Sequence, residues 1–264
     1  MTHSEGSIMS STSTIHTSSA GLEQGLFDLP APGQSIKAYF ARPAGTGAFP
    51  VILVIQEIFG LNDHIQDVCR RFAHQGYLAV AAELTQRQGD AGSYSDIPTL
   101  VRDVVANVPD EQAMADLDAC AAWAMAHGGA AGQLGATGFC WGGRIAWLYA
   151  AHNPDCKAAV AWYGRIAAGH GPLQTHQPIH LANELHAPVL GLYGGKDTGI
   201  PVDDVRALEV LLAQGNDAAR ASRFKVYPES GHAFFADYRP SYRAEDARDG
   251  WRLALDWFEG HVRK

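Results

Sequence analysis

One cysteine lies in a sequence pattern that is typical of catalytic nucleophiles. Cys140 occurs in the segment GFCWGG, which follows the apolar run Leu134–Phe139. This is the strand–turn–helix pattern G-x-S-x-G of the nucleophile elbow, with cysteine in place of serine. A cysteine in that turn would lie at the N-terminus of the next helix, where the helix dipole stabilises a thiolate. The backbone N–H of Trp141 would then face the oxyanion that forms during acyl transfer.

Other interpretations of this segment are open. Free cysteine is often a core residue, so Cys140 could be a buried thiol in a glycine-rich turn. Dinucleotide binding is disfavoured, because the order G-x-G-x-x-G is absent. A redox role would need a second thiol nearby, and the sequence offers no obvious one, although Cys120 and Cys156 are candidates.

A nucleophilic thiol needs a base, and the base needs an acid that orients it. Asp197 follows the predicted strand Val189–Tyr193, and His232 follows the predicted strand Arg223–Tyr227. Both side chains would therefore lie at the carboxyl edge of a sheet, where α/β proteins place their ligand sites. The order nucleophile, acid, histidine is that of the α/β-hydrolases. We predict a triad of Cys140, His232 and Asp197.

Apolar runs that suit buried strands alternate along the chain with segments of helical periodicity. In the segment Asn62–His74, for example, Ile65, Val68 and Phe72 share one helical face. Such alternation predicts an α/β fold, with a mostly parallel twisted sheet and helices on both faces. Besides those named, the predicted strands and helices are Ser35–Ala41, Val51–Ile55, Tyr77–Ala82 and Ala158–Tyr163, and Glu111–His127 and Ala247–Gly260.

The composition is that of an ordinary globular protein. The chain has 264 residues, of which 47% are hydrophobic and 18% charged, and a formal net charge of −8. This acidic balance argues against nucleic-acid and anionic-membrane partners. No apolar stretch approaches the roughly 20 residues of a membrane span, and four cysteines without a C-x-x-C pair exclude a disulfide scaffold. We expect a cytoplasmic protein, with a disordered tail over residues 1–21 and a single domain over residues 22–264.

Four histidines, His170, His176, His180 and His186, fall within residues 164–187. The spacing of His176 and His180 suits a helical metal site, but Pro178 lies between them and disfavours that helix. We therefore expect a loop here, with no metal and no cofactor.

Three segments together resemble the dienelactone hydrolase family: the elbow, the strand end YGGKD with Asp197, and the segment SGH with His232. The loop EIFGLN, which begins at Glu57, strengthens the resemblance, which extends from about Leu22 to Val262. Members of this family are carboxymethylenebutenolidases of the α/β-hydrolase fold that open an unsaturated lactone ring. The resemblance implies the same fold here and a cysteine-dependent hydrolase that acts on a small lactone or ester.

The resemblance also implies individual roles. Cys140 would attack the lactone carbonyl as a thiolate and form a thioester, with His232 as the proton carrier. The backbone N–H groups of Ile58 and Trp141 would form the oxyanion hole. Glu57 would hold the thiol in check until substrate displaces its carboxylate, and a solvated loop carboxylate is the alternative interpretation of this residue.

The family's lactone carries a carboxylate that two arginines hold. Arg87 matches the first arginine in position, whereas Ala236 stands where the second is expected. Arg239, three residues further on, could replace it. This departure widens the expected substrates to other esters and lactones. Aromatic side chains near these loops are expected to line the substrate pocket, with plain core positions as the alternative: Phe59, Tyr163 and Phe234.

Two other functions are compatible with the sequence. One is a general carboxylesterase or thioesterase of the same fold. The other is a non-catalytic sensor that uses the pocket to bind a small molecule, although a binder has no need of a complete triad. We expect a monomer or a small homo-oligomer whose partner is a small lactone or ester.

Overall fold

Eight strands form one mixed sheet in the computed structural model, which describes residues 14–263. The strands are β1 (Leu22–Leu29), β2 (Ile36–Pro43), β3 (Phe49–Ile55), β4 (Leu78–Ala82), β5 (Gly129–Phe139), β6 (Cys156–Trp162), β7 (Val189–Gly194) and β8 (Arg223–Tyr227). Their order across the sheet is β1-β2-β4-β3-β5-β6-β7-β8. The pairs β1–β2 and β2–β4 are antiparallel, and the other neighbours are parallel. The prediction of a mostly parallel α/β sheet is confirmed.

Helices connect the strands and pack against the sheet. They are α1 (Asp63–His74), α2 (Ile97–Asp103), α3 (Asp110–Ala126), α4 (Trp141–His152), α5 (Val202–Ala213), α6 (Asp217–Ala221) and α7 (Ala244–His261). Helix α1 contacts β2 and β4, α4 contacts β5 and β6, and α7 contacts β6. Helix α1 begins where the sequence predicts, because the Asn62 side chain caps it and accepts a hydrogen bond from Ile65 N at 3.1 Å.

The middle of the sheet is buried on both faces. Every residue from Val51 to Ile55 in β3 is buried, and so is the whole of β4. Parallel strands covered by helices on each face have this continuous apolar character. The edge strand β1 differs, because its residues are mostly exposed or half-buried. It therefore lacks the apolar run that marks a buried strand, and the sequence prediction missed it.

The connectivity brings three loop positions to one edge of the sheet. Cys140 directly follows β5, Asp197 follows β7, and His232 follows β8. Strands β5 to β8 are parallel neighbours, so their carboxyl ends lie side by side. A crevice at this edge is the usual place for a ligand in an open α/β sheet.

The segment over residues 14–21 differs from the predicted disordered tail. Thr17 binds the side chain of Asp67 in α1, from its backbone N at 2.7 Å and from its hydroxyl at 3.1 Å. Arg70 Nε donates to the Thr17 carbonyl at 3.1 Å. The prediction is therefore wrong for residues 14–21, and its remainder, residues 1–13, lies outside the described residues. Within the described part of the chain, no helix is long and apolar enough to span a bilayer.

Candidate active site

A strained turn holds Cys140 between β5 and α4. The residue has φ 56° and ψ −115°, a conformation that non-glycine residues rarely adopt. The neighbouring glycines make the turn possible. A Cβ on Gly138 would overlap the carbonyl oxygen of Gly142, and a Cβ on Gly142 would overlap that of Gln56. The predicted elbow is present, and its thiol is partly exposed at the N-terminus of α4.

Hydrogen bonds connect the three residues of the predicted triad. His232 Nε2 lies 3.1 Å from Cys140 Sγ, and His232 Nδ1 lies 2.7 Å from Asp197 Oδ2. Asp197 is 7% exposed, and its other oxygen accepts a hydrogen bond from Gly199 N at 2.9 Å. The imidazole is therefore oriented by a buried acid on one side and touches the thiol on the other. This is the geometry that an activated nucleophile requires.

The charge of His232 responds to both of its neighbours. Burial on its own would lower the pKa of the imidazole. A negative charge on Cys140 and the hydrogen bond to Asp197 outweigh that effect and raise the pKa of His232 to about 10. An imidazolium is therefore favoured whenever Cys140 carries a negative charge.

Cys140 and His232 face a cavity of about 730 Å³. Such a volume lies within the range of about 300–1,000 Å³ that is usual for small-molecule sites. One wall is apolar and comes from α2, which contributes Ile97, Pro98 and Val101. The cavity lining also contains three arginines, Arg102, Arg165 and Arg239, together with His170.

One of these arginines is paired with a carboxylate of the described chain, whereas the other two are not. Arg102 binds the carboxylate of Asp103, with Nε 2.6 Å from Oδ1. Arg165 donates to a backbone carbonyl at 3.1 Å, and the Arg239 guanidinium lies 5.4 Å from the centre of the Phe59 ring. Among residues 14–263, neither Arg165 nor Arg239 has a carboxylate within salt-bridge distance. The sequence singled out Arg239 but missed Arg165, which carries no motif.

His170 is the only one of the four clustered histidines that lines this cavity in the described chain. Burial, followed by the charges of Arg165 and Arg144, lowers the pKa of His170 to about 4. The side chain is therefore neutral near pH 7. Residues 14–263 contain no group of three or more metal-ligating side chains with the geometry of a metal site.

Ile58 and Trp141, the two predicted oxyanion-hole residues, belong to different segments of the chain. Ile58 belongs to the loop after β3 and lines the cavity. Trp141 is the first residue of α4, where backbone N–H groups have no acceptor within the helix. Both positions are compatible with donation toward an oxyanion above Cys140.

Glu57 lies in the loop two residues after β3 and is completely buried. Its Oε2 accepts a hydrogen bond from the Tyr238 hydroxyl at 2.6 Å. A solvated loop carboxylate, the alternative interpretation of this residue, is incompatible with that burial. Tyr238 follows His232 by six positions, and sequence analysis gave it no role.

Three predicted pocket residues have other surroundings. Arg87 binds Asp116 through both guanidinium nitrogens, at 2.6 and 2.9 Å, and does not line the cavity, so its predicted role in substrate binding is wrong. Phe234 is fully buried against Trp162 and other core rings, and is a core residue rather than a pocket residue. Phe59 does not line the cavity either, since it packs beneath Arg239.

Tyr163 does line the cavity, as predicted, although its side chain is otherwise buried. Its ring lies 5.2 Å from that of His232, edge to face. Its hydroxyl has no hydrogen-bond partner among the described residues. Burial, and then the charges of Glu57 and Cys140, raises the pKa of Tyr163 well above the usual value. The phenol therefore stays protonated and can donate.

The sheet and the order of the site residues along the chain define an α/β-hydrolase. The sequence profile of the Dienelactone hydrolase family matches residues 36–262. That match covers most of the sequence, so this chain belongs to the dienelactone hydrolase family and is a hydrolase.

Individual relatives agree with this assignment. A protein of Yersinia pestis named "Putative carboxymethylenebutenolidase" is 54% identical over 242 residues, which are 91% of this chain and 90% of that protein. A protein of the same name from Salmonella typhimurium (strain LT2) is 51% identical over 245 residues, 92% of this chain and 90% of that protein. The crystal structure of a "Putative Dienelactone Hydrolase" from Klebsiella pneumoniae superposes with a TM-score of 0.86 at 51% identity, covering 90% of this chain and 98% of that one.

Proposed function

We propose that the protein hydrolyses a lactone or carboxylic ester through a thioester on Cys140. The observation that carries this proposal is the continuous hydrogen-bonded series from Asp197 through His232 to the Cys140 sulfur. A thiol that only fills core space needs neither a buried acid nor a strained turn. The names of the relatives, carboxymethylenebutenolidases, agree with lactones as substrates.

In the first half of the proposed reaction, the Cys140 thiolate attacks the carbonyl carbon of the substrate. A carbon–sulfur bond forms, and the N–H groups of Ile58 and Trp141 stabilise the oxyanion. The carbon–oxygen bond to the leaving group then breaks, and His232 gives its Nε2 proton to the departing oxygen. In a lactone that oxygen stays attached to the acyl group, whereas in an ester it leaves as an alcohol.

In the second half, one water molecule replaces the thiol. His232, now neutral, takes a proton from water as the new oxygen–carbon bond forms. The carbon–sulfur bond breaks, the carboxylic acid product releases its proton to solvent and leaves as a carboxylate, and the thiolate–imidazolium pair is restored. Asp197 keeps Nε2 directed at the sulfur in both halves, because it binds the opposite nitrogen of the ring.

The cavity supports a substrate that carries a negative charge as well as an apolar part. Arg165 and Arg239 line it without a carboxylate partner among residues 14–263, and the Asp197 carboxylate is bound to His232. An anionic group on the substrate could therefore bind these two guanidinium groups in the cavity that the thiol also lines. The apolar wall from α2 would contact the remainder of the substrate.

The same apolar wall favours a second candidate function, a carboxylesterase for neutral esters. The two candidates predict different effects of substrate charge on binding. An anionic substrate would use the arginines, whereas a neutral ester would bind mainly through Ile97, Pro98 and Val101.

Hydrolysis assays with wild-type protein and Cys140→Ala test the proposal. The substrates are cis- and trans-dienelactone, p-nitrophenyl hemisuccinate and the neutral p-nitrophenyl butyrate. We expect Cys140→Ala to lose at least about 10³-fold in turnover, as loss of a nucleophile does in other triads. We also expect wild-type kcat/KM to be higher for the anionic hemisuccinate than for the butyrate.

Each alternative has a distinct outcome in these assays. Wild-type rates from Cys140→Ala would exclude the thioester mechanism. A preference for the neutral ester, lost in Cys140→Ala, would support the carboxylesterase. Failure of wild type to turn over any substrate, while it retains one of them tightly, would favour the non-catalytic sensor.

A further inference from the structure

Glu57 is a buried carboxylate with very little hydrogen bonding. Its Oε2 accepts the Tyr238 hydroxyl at 2.6 Å, whereas Oε1 has no partner among residues 14–263. A buried carboxylate is expensive to keep charged unless donors replace the water that it has lost. Among the described residues, the Tyr238 hydroxyl is therefore the one donor that orients the Glu57 carboxylate.

Tyr238 is held rigidly by its own neighbours. Its ring packs at 5.2 Å from His64 in α1 and at 6.5 Å from Phe59, measured between ring centres. The preceding residue, Asp237, is buried and binds His64 at 3.2 Å and Arg71 at 2.5 Å. The hydroxyl thus has a fixed position relative to α1 and the sheet.

The loop that carries Glu57 runs against the first turn of α4. The carbonyl oxygen of Gln56 lies so close to Gly142 that a Cβ on this glycine would overlap it. Tyr163 is close enough to both Glu57 and Cys140 for their charges to raise its pKa. Because this loop packs against the turn that carries the thiol, a negative charge on Glu57 opposes formation of a thiolate at Cys140.

Other polar groups surround this pair. Around Tyr238 are Glu57, Arg239 and Asn62, and around Tyr163 are Glu57, Cys140, Tyr238 and Arg239. His232 contacts the sulfur of Cys140 through Nε2. Burial, and then the charge of Glu57, raises the pKa of Tyr238, so that its hydroxyl remains a donor throughout the neutral range.

We propose that Tyr238 is a positioning residue whose hydroxyl fixes the Glu57 carboxylate in the loop that packs against the Cys140 turn, and so restrains the thiolate in the resting enzyme. The inference rests on the proposed function, in which Cys140 is the nucleophile. Without the hydroxyl, the buried carboxylate loses the donor that fixes its position. Its opposition to a negative charge on Cys140 then weakens.

The test follows the pH dependence of Cys140 alkylation by iodoacetamide, measured by intact mass. Folded protein reacts at Cys140, because the other three thiols are buried. Cys140→Ala gives the blank. In Tyr238→Phe, we expect the pH of half-maximal alkylation rate to fall by about one unit, which is the usual size of a shift from one nearby charge. The control, Tyr227→Phe, removes another tyrosine–carboxylate hydrogen bond, 3.0 Å to Asp249, and should leave that pH unchanged.

A double-mutant cycle with Glu57→Gln shows whether Tyr238 acts through Glu57. Glu57→Gln should lower the pH of half-maximal alkylation as Tyr238→Phe does, and adding Tyr238→Phe to it should cause no further shift. The inference is overturned if Tyr238→Phe leaves the profile unchanged, if it raises that pH, or if it causes the same shift when Glu57 is already replaced.

Glu57→Asp serves as a second variant in case Tyr238→Phe does not fold. It withdraws the carboxylate from the hydroxyl but leaves the Tyr238 ring packed against His64 and Phe59. Glu57→Asp should also lower the pH of half-maximal alkylation of Cys140. An unchanged pH dependence of alkylation would contradict the inference. Alkylation needs no substrate, so a failure of the hydrolysis assays with Cys140→Ala is distinguishable from a failure of this test.

Discussion

The imidazole of His232 lies between an acid and a thiol, and its proton decides which half of the proposed reaction can occur. Burial would lower its pKa, whereas a charged Cys140 and the bond to Asp197 raise it to about 10. Since the folded-state pKa is above the value of about 6.5 in an unfolded chain, protonated His232 stabilises the fold. This stabilisation is complete below about pH 6.5 and is lost as the pH rises toward 10.

Asp197→Asn tests whether the Asp197 carboxylate raises the pKa of His232. A neutral amide stabilises an imidazolium less than a carboxylate does, so the pKa of His232 should fall. We expect the alkaline limb of the kcat/KM profile to move to lower pH, with a loss in kcat/KM of about 10²–10⁴-fold. The pH profile of p-nitrophenyl ester hydrolysis measures both effects. An alkaline limb in the same place as in wild type would show that Asp197 does not control the charge of His232.

At the scale of secondary-structure elements, the elbow depends on two glycines that let β5, α4 and the loop after β3 approach closely. Gly138→Ala should destabilise the protein by more than about 3 kcal/mol or prevent folding, because the new Cβ would overlap backbone rather than a movable side chain. Gly260→Ala is the matched control, since a Cβ at this position in α7 has no atom within 4 Å. It should be neutral or stabilising by up to about 1 kcal/mol.

Denaturant unfolding of both variants measures this difference. If Gly138→Ala unfolded at the same concentration as Gly260→Ala, the strained approach of β5 and α4 would not be needed for stability. The same comparison made with Gly142 would test the contact between α4 and the loop that carries Glu57.

The secondary-structure elements that could be predicted are those marked by a pattern of neighbouring residues. Strand β3 is a continuous apolar run, and the Asn62 cap marks the start of α1, so both were predicted to within two residues. Strand β1 and helix α2 were missed. Helix α2 has only seven residues, and three of its apolar side chains, Ile97, Pro98 and Val101, line the cavity. Leu100 alone is buried in the core, which is too little to give a helical periodicity.

The same distinction applies to the residues of the site. The proximity of Cys140, Asp197 and His232 could be predicted because each follows a recognisable strand in the expected order. The contacts of Arg87 and Tyr238 could not, because each depends on a partner far away in sequence. Asp116, which binds Arg87, is 29 residues away, and Glu57, which binds Tyr238, is 181 residues away.

At the scale of the whole molecule, a buried ion pair connects two helices to a loop that lines the cavity. Arg144 in α4 is fully buried and binds both oxygens of Asp110 in α3, at 2.8 and 2.9 Å. It also donates to Gln177 at 3.0 Å, in the loop that carries Arg165 and His170. One side chain therefore connects the helix behind the thiol to the loop that forms the cationic side of the cavity.

A second network runs from the N-terminal segment toward the site. Thr17 binds Asp67, Arg71 bridges Asp67 to Asp237, and Asp237 directly precedes Tyr238. Asp67 is 2% exposed, so each of its donors replaces water that burial has removed. Residues 14–21 thus contribute to a buried cluster, although their composition is that of a disordered segment.

Deletion of residues 1–21 should therefore destabilise the protein by about 2 kcal/mol, or about 4–8 °C in Tm, because Asp67 loses the donors of Thr17. Burial raises the pKa of Asp67, but Thr17, Arg71 and Arg70 together hold it below the usual value. Stabilisation of this kind is present above about pH 4 and is lost as the pH falls, so the difference between full-length and truncated protein should shrink in acid. Thr17→Ala, which keeps the backbone contacts, should cost less. Equal Tm values at pH 7 would contradict a structural role for this segment.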